Sequence, residues 1–361
     1  MKVLQVIDFM PETSGGARFV VNLAIQLKEK GVDVDVLLID GQNSHFIDQL
    51  NENNIKVIFL DCKINRFNPK YASRISKYLD RYDVIHVHIF PSSYQVALAR
   101  VINKKSAPII FTEHNSFNRR ASNPLFKYIE KFVYSKFDHV VCLSEQVFSF
   151  VKENLNINEN KLTIIENAID SKKIHDTLPM DRKQLKLSDS DFVLLMSARF
   201  TTQKNHKVVI ESLKLLPENI KVLFAGEGVL LDPMKKLALS LGLENRFQFL
   251  GSRSDIFSLM KMVDVNILAS NFEGLSLAAL EAMSTGKPFI ASDVDGLDFV
   301  VNNNKYLFSN NPESLSDLIL KLFEDECFYT QASKDTYLRS KDFDISIMAE
   351  KYLSVYKQQL K

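Results

Sequence analysis

Two pairs of charged residues in the second half of the chain have the types and spacing to hold a nucleoside diphosphate. Glu273 and Glu281 have seven residues between them. Gly274 reads as a turn into a helix beginning near Leu275 or Ser276, and Gly286 followed by Pro288 ends that helix. The first amides of a helix lack intrahelical acceptors and lie at the positive end of its dipole, which suits a phosphate. Here they would belong to Leu275, Ser276 and Leu277. At about 100° per residue, Leu277, Leu280 and Ser284 share one arc and Glu281 sits at its edge. A carboxylate beside a packed face needs hydrogen-bond donors, and ribose hydroxyls supply them. A lone glutamate there would be an ordinary solvated residue; the surrounding pattern favours a diphosphate seat with a ribose anchor.

The second pair is Arg199 and Lys204, on the loop Ser197-Ala198-Arg199-Phe200-Thr201-Thr202-Gln203-Lys204-Asn205-His206 that follows an apolar run. An arginine grips phosphate oxygens with two parallel bonds and a lysine adds a mobile point charge. A departing diphosphate needs that compensation as its bond to a sugar breaks. His114 ends another apolar run, in Thr112-Glu113-His114-Asn115. The carboxyl edge of an open α/β sheet faces its ligand crevice, so His114 is poised for substrate, with Glu113 beside it. Gly226-Glu227-Gly228 and Gly251-Ser252-Arg253-Ser254 end further strands and face the crevice of their own sheet. Gly15-Gly16 lies between the first strand and the first helix, in a loop too long for the three-glycine dinucleotide fingerprint.

Strands at 3–7, 34–39, 56–60, 84–88, 109–112 and 139–143 alternate with amphipathic stretches such as 17–30 and 71–81, the pattern of a parallel sheet covered by helices. Another strand at 161–166 leads into the turn Asn167-Ala168-Ile169-Asp170. The alternation restarts at 192–196 and continues through 221–225, 247–250, 263–269 and 288–291. A chain of 361 residues accommodates two such domains.

Composition narrows the class. With 46% hydrophobic and 25% charged residues the chain reads as soluble and globular, and no apolar run approaches the roughly 20 residues that span a bilayer. The opening Met1-Lys2-Val3-Leu4-Gln5-Val6-Ile7-Asp8 reads as a strand and not as a secretory signal, which predicts a cytoplasmic protein. Cys62, Cys142 and Cys327 lie too far apart for a disulfide framework or zinc knuckle, and are expected to be reduced and mostly buried. A net charge of +1 makes nucleic acid no obvious partner. Residues 100–136 carry eight basic residues (Arg100, Lys104, Lys105, Arg119, Arg120, Lys127, Lys131, Lys136) against Glu113 and Glu130, a local balance of +6. Phe117, Phe126, Tyr128, Phe132 and Tyr134 are interleaved with them. The segment reads equally as a contact for anionic membrane and as a solvated helix face.

Competing motifs are weak. His86-Val87-His88 offers alternate strand residues to a metal, but has no neighbouring carboxylate or cysteine pattern. Asp33-Val34-Asp35 and Asp293-Val294-Asp295 match a three-residue Asp-x-Asp pattern without a companion ligand. Gly286-Lys287 is followed by Pro288 and has Glu281 where a phosphate-binding loop needs glycine. No Gly-x-Ser-x-Gly elbow occurs.

The run E-G-L-S-L-A-A-L-E-A-M-S-T-G-K-P, Glu273 to Pro288, followed by A-S-D-V-D-G, resembles the signature of retaining glycosyltransferases of family 4. Many members read E-G-F-G where this chain has Glu273-Gly274-Leu275-Ser276. The glycine loop, histidine, domain crossing, cation pair, glutamate pair and terminal helix follow in the family's order over nearly the whole chain. The resemblance implies the GT-B architecture, two Rossmann-like doubly wound α/β domains facing each other across a cleft. These would be an acceptor domain at 1–170, with the helix of 345–361 crossing back to it, and a donor domain at 171–344. It implies that Gly16 brings its amide to the donor phosphate, that His114 reaches the donor sugar, and that Arg199 and Lys204 clamp the diphosphate. By the same resemblance Glu273 holds sugar hydroxyls, Glu281 the ribose, and the loop of Arg253 lines the base pocket, with Gly274, Leu275 and Ser276 on the phosphate side. Asn167 would mark a hinge.

The implied reaction moves a sugar from a nucleotide-sugar donor, expected to be UDP-linked, to an acceptor hydroxyl. Anomeric configuration would be retained, the leaving phosphate would help deprotonate the acceptor, and no metal or other cofactor is expected. With the charge placement, the resemblance suggests a glycan or lipid-linked acceptor in cell-surface polysaccharide or lipopolysaccharide assembly, and a protein peripheral to the inner face of the membrane. A small soluble acceptor is an equal reading. A nucleotide-sugar 2-epimerase and a non-catalytic partner of the same architecture remain as alternatives.

Overall fold

Short aliphatic runs form strands because both faces of each are covered, as the near-continuous burial of Val3–Ile7, Val84–His88 and Ile109–Glu113 shows. A computed structural model describes residues 1–11, 14–41, 44–60, 68–114 and 124–361 of the chain, with only the backbone at 124 and 125. Cys62, Asn115, Phe117, Arg119 and Arg120 lie outside the described residues. The chain divides into two compact units, one of residues 1–167 with 345–361, the other of residues 168–344.

The first unit holds β1 (Lys2–Ile7), β2 (Asp33–Leu38), β3 (Lys56–Phe59), β4 (Val84–His88), β5 (Ile109–Glu113), β6 (His139–Cys142) and β7 (Leu162–Ile164). Its order is β3-β2-β1-β4-β5-β6-β7, parallel throughout. Strand order therefore reverses between β1 and β4, where Gln5 pairs with His86. The second unit holds β8 (Phe192–Ser197), β9 (Ile220–Ala225), β10 (Phe247–Gly251), β11 (Val265–Leu268), β12 (Phe289–Ser292) and β13 (Leu307–Phe308). They are ordered β10-β9-β8-β11-β12-β13, with the reversal between β8 and β11. Each sheet thus has a switch point at which an open α/β sheet presents its crevice.

The terminal helix Ile345–Gln359 belongs to the first unit. Tyr356 Oη bonds His86 Nδ1 at 2.6 Å, His86 Nε2 bonds Thr112 at 2.7 Å, and Thr112 meets Tyr352 Oη at 3.1 Å. Both nitrogens of His86 are thereby engaged in holding that helix to the sheet. On the surface Lys30 pairs with Glu350 and Lys351 with Glu166. Exposed pairs of this kind contribute little, roughly 0–1 kcal/mol, so the buried relay and the packing around Tyr352 and Tyr356 hold the helix.

Several elements differ from expectation. β11 starts at Val265, because Val263 caps the preceding helix and Asp264 is engaged by Arg182 and the amide of Val193. The stretch 71–81 is helical only over Lys70–Ile75 and continues as turns. β13 was not anticipated, since two residues carry no periodicity. Cys142 is buried, its thiol pushed up to about 12 by burial, but Cys327 is exposed.

Candidate functional site

The loops that leave the second sheet at its switch point surround a cavity of about 510 Å³, within the size range of small-ligand sites. Arg199, Lys204, Arg253, Glu273 and Glu281 all line it, with Leu277 and Ala278.

Close backbone contact fixes the loop of Arg199. Gly226 has φ +147°, and a Cβ built there would lie 2.1 Å from the carbonyl oxygen of Ala198; at Gly228 the distance to the carbonyl oxygen of Phe200 would be 2.4 Å. Only glycine tolerates that approach. It allows Ala198 N to donate to Ala225 O at 3.0 Å and Phe200 N to Glu227 O at 2.9 Å. Gly226→Ala is expected to displace this loop and destabilise the protein by at least about 1 kcal/mol. Urea unfolding together with UDP titration checks it, and a variant of wild-type stability and affinity would refute the packing role.

The cation loop is laced in turn to the carboxylate loop. Asn205 N donates to Ala269 O at 3.0 Å, Asn271 N to Gln203 O at 2.8 Å, and Gln203 Nε2 to Phe272 O at 3.1 Å. Lys204 Nζ rests directly on Glu273 Oε1, which also accepts the hydroxyl of Ser270 at 2.9 Å. Ser270 is itself anchored. Its amide donates to Ser292 Oγ at 3.0 Å, Ser292 donates to Asn310 Oδ1 at 2.7 Å, and Asn310 Nδ2 returns to Ser270 O at 2.8 Å. Sequence reasoning missed Ser270, Ser292 and Asn310, which lie on three separate segments. It also passed over Gly296, at φ +85°, where a Cβ would stand 2.4 Å from the carbonyl oxygen of Gly274. That glycine admits the turn that presents Glu273.

The helix after the turn starts one or two residues later than expected. Ser276 is extended, with φ −86° and ψ 109°, and caps Leu277–Met283 by accepting the amide of Ala279 at 3.4 Å. The residues that line the cavity are accordingly Leu277 and Ala278, in place of Gly274, Leu275 and Ser276. Arg199 is exposed. Arg253 commits its fork to Asp255, with bonds of 2.8 and 2.6 Å, which holds that carboxyl below the usual carboxylate range. Arg253 therefore faces the cavity as half of an ion pair.

Gly16 and His114 belong to the first unit. The first helix begins at Gly15, two residues before Ala17, because Ser14 caps it by accepting the amide of Ala17 at 3.2 Å. A Cβ on Gly16 would make only ordinary contact, 3.5 Å from Ile89, so the protein's own packing does not require glycine there. His114 follows β5, half-buried, with Nε2 3.4 Å from His88 Nδ1 and its ring edge-on to Phe19 at 4.8 Å. Glu113 points elsewhere, into the core, where it accepts the hydroxyl of Tyr134.

Burial lowers His86 and His88 well below the ordinary imidazole value, and His114 and His206 to about 4. Between pH 6.5 and about 4 the unfolded chain binds more protons than the folded one, so stability present above pH 6.5 is lost progressively as the pH falls. Urea unfolding across that range should show it. Constant stability would contradict neutral buried histidines.

The Asp-x-Asp motifs are taken up structurally in part, as Asp35 accepts Tyr82 Oη at 2.6 Å and Asp33 pairs with Lys28. Among the described residues no group of three His, Cys, Asp or Glu side chains comes together to hold a metal ion, and no helix is long and apolar enough to cross a membrane.

Residues 13–173 match the profile of Glycosyltransferase Family 4, and residues 179–339 that of Glycosyl transferases group 1. The two profiles divide nearly the whole chain between them. The chain is a family-4 glycosyltransferase. It is 26% identical to UDP-Gal:alpha-D-GlcNAc-diphosphoundecaprenol alpha-1,3-galactosyltransferase of Escherichia coli, over 89% of this chain and 87% of that one. It is 25% identical to N-acetyl-alpha-D-glucosaminyl L-malate synthase of Bacillus anthracis, over 90% and 89%. Among solved structures, HepE of Anabaena in complex with UDP superposes with a TM-score of 0.81 at 21% identity, over 99% of this glycosyltransferase and 100% of HepE. The fold is the two-domain, Rossmann-like α/β arrangement of GT-B enzymes.

Proposed function

We propose that this glycosyltransferase moves a sugar from a UDP-sugar to a hydroxyl of a lipid-linked glycan, with retention of configuration and without a metal. The observation that carries the reading is the convergence of Arg199, Lys204, Glu273 and Glu281 on one cavity of the second unit. UDP in the HepE structure and the UDP-Gal and diphosphoundecaprenol of the E. coli relative support the donor and the acceptor.

In this reading Arg199 and Lys204 take the diphosphate, where negative charge develops as the sugar bond breaks. Glu281 takes the ribose hydroxyls and Glu273 the sugar hydroxyls, while the loop of Arg253 bounds the base. Gly16 offers its amide to the donor phosphate and His114 contacts the sugar. Glu113, the neighbour of His114, is turned into the core and so is not placed as the nucleophile of a double displacement. Attack from the face of the departing phosphate, which accepts the acceptor's proton, then accounts for retention. Water must be excluded meanwhile, and we assign closure to movement at Asn167 and at the start of the terminal helix.

Calorimetric titration with UDP, GDP and ADP, before and after EDTA, tests the donor. UDP binding that survives EDTA supports the reading; preference for GDP changes the nucleotide, and absence of all binding favours a non-catalytic partner. The anomer of the product, read by NMR, tests retention. A 2-epimerised sugar formed without acceptor would favour the epimerase. The malate synthase among the relatives makes a small soluble hydroxyl compound the control acceptor.

A further inference from the structure

We propose that His88 is a positioning residue for His114. Through Nδ1 it engages Nε2 of that histidine, holds the ring in one orientation and one tautomer, and leaves Nδ1 of His114 as the nitrogen that meets the donor sugar. The assignment rests on the reading that His114 contacts that sugar. Its geometry lies wholly within the first unit. His88 ends β4 and His114 follows β5; Nδ1 of the one stands 3.4 Å from Nε2 of the other, with the ring centroids 5.6 Å apart.

Packing alone does not account for an imidazole at position 88. The side chain is buried, and among the described residues its Nε2 has no hydrogen-bond partner. Burying a polar atom unpaired is costly, so an apolar side chain would fill the same space better. His86, on the same face of the strand, differs, because its two nitrogens join Tyr356 and Thr112 and fasten the terminal helix. Among the described residues the ring of His88 bonds His114 alone.

The seat of that ring is fixed from several sides. His86 lies at 4.0 Å between centroids and Phe19 at 5.8 Å, and Phe19 also stands edge-on to His114. The chain leaves β4 through Ile89 at φ +48°, a left-handed conformation that a β-branched residue adopts only under strain. The hydroxyl of Ser92 meets the carbonyl oxygens of both His88 and Ile89 and secures the turn. Strain maintained by such contacts is characteristic of places where a side chain has to be aimed. The tautomer is fixed as well. Burial keeps both rings neutral at pH 7, so one N–H is shared along the contact. For His114 to exchange tautomers, His88 would have to move its own proton onto or off Nε2, which is shut off from solvent.

Histidine-selective nitrogen labelling of the full-length protein tests the contact without any substrate. In long-range proton–nitrogen spectra the signals lost in His114→Ala identify His114, and the wild type is expected to show it in a single tautomer. His88→Leu should convert it to a mixture. His88→Asn, whose amide reaches the position of Nδ1, should keep it single. For the reaction, UDP release is followed with UDP-glucose, UDP-galactose and their N-acetylated counterparts. His88→Leu should lower kcat about tenfold or more, the scale of a misplaced reacting contact, while UDP affinity stays at the wild-type value; His88→Asn should recover most of that loss. His88→Leu with His114→Ala should be no slower than His114→Ala alone, because a residue that acts only through another adds nothing once its partner is gone. A merely structural histidine would give losses that multiply. Two tautomers in the wild type, wild-type turnover in His88→Leu beside an impaired His114→Ala, or multiplying losses overturn the proposal alone, and the wild-type spectrum decides even where a variant fails to fold. Unchanged turnover in His114→Ala, or a wild type that cleaves none of the sugar nucleotides, overturns the reading of the site on which the proposal rests.

Discussion

Glu273→Gln is expected to reduce transfer by roughly a hundredfold to a thousandfold, the range found when a group acting on the transition state is removed, and to leave UDP binding intact or tighter. The two effects have separate causes. Glu273 holds Lys204 and the hydroxyl of Ser270 on a single carboxylate oxygen, and its side chain is only 7% exposed. Glutamine keeps an oxygen for Ser270 but withdraws the charge that competes with a diphosphate for Lys204. In the proposed reading UDP, which lacks the transferred sugar, therefore loses nothing and gains a freer lysine. A sugar donor, in the same reading, loses the carboxylate proposed to accept its hydroxyls. Turnover and UDP affinity on one preparation decide it; unchanged turnover removes Glu273 from the reaction, and lost UDP affinity with lost turnover reassigns it to nucleotide binding.

The anchors behind Glu273 explain why the site was only half legible in the sequence. Arg199, Lys204, Glu273 and Glu281 could be picked out because cations after one strand and carboxylates around one helix start are local patterns. Ser270, Ser292 and Asn310 could not, since their bonds join segments that no spacing rule connects. Gly226 and Gly296 were visible as glycines, but the reason for them is a carbonyl from a distant loop. Strands were readable because they are buried on both faces and so spell continuous aliphatic runs. Helix starts were harder. Ser14 and Ser276 are each capping side chains just outside the helix, and the neighbouring glycines drew the boundary away from them. The engagement of Arg253 by Asp255, two residues on, is an interaction that neither helical nor strand periodicity anticipates.

The second large effect belongs to Lys204. Lys204→Ala is expected to lower kcat by about a hundredfold or more, because in the proposed reading the ammonium compensates charge that appears as the diphosphate departs. Arg199 is exposed where Lys204 is 14% exposed, so water replaces part of what Arg199→Ala removes, and that variant should lose less. Lys204→Arg should restore little. The lysine reaches Glu273 as a compact point charge over an oxygen already shared with Ser270, and a planar fork has a different shape and set of donors. Contact between the two side chains also means that their effects cannot add. In Lys204→Ala the carboxylate of Glu273 is left without its cation, a cost that Glu273→Gln removes, so the double variant should be less impaired than the product of the single losses. Turnover of wild type, both single variants and the double variant measures that coupling. Strict multiplicativity would show that the Lys204–Glu273 contact has no part in the reaction, whereas a smaller loss in the double variant identifies the two as one unit that the departing diphosphate divides.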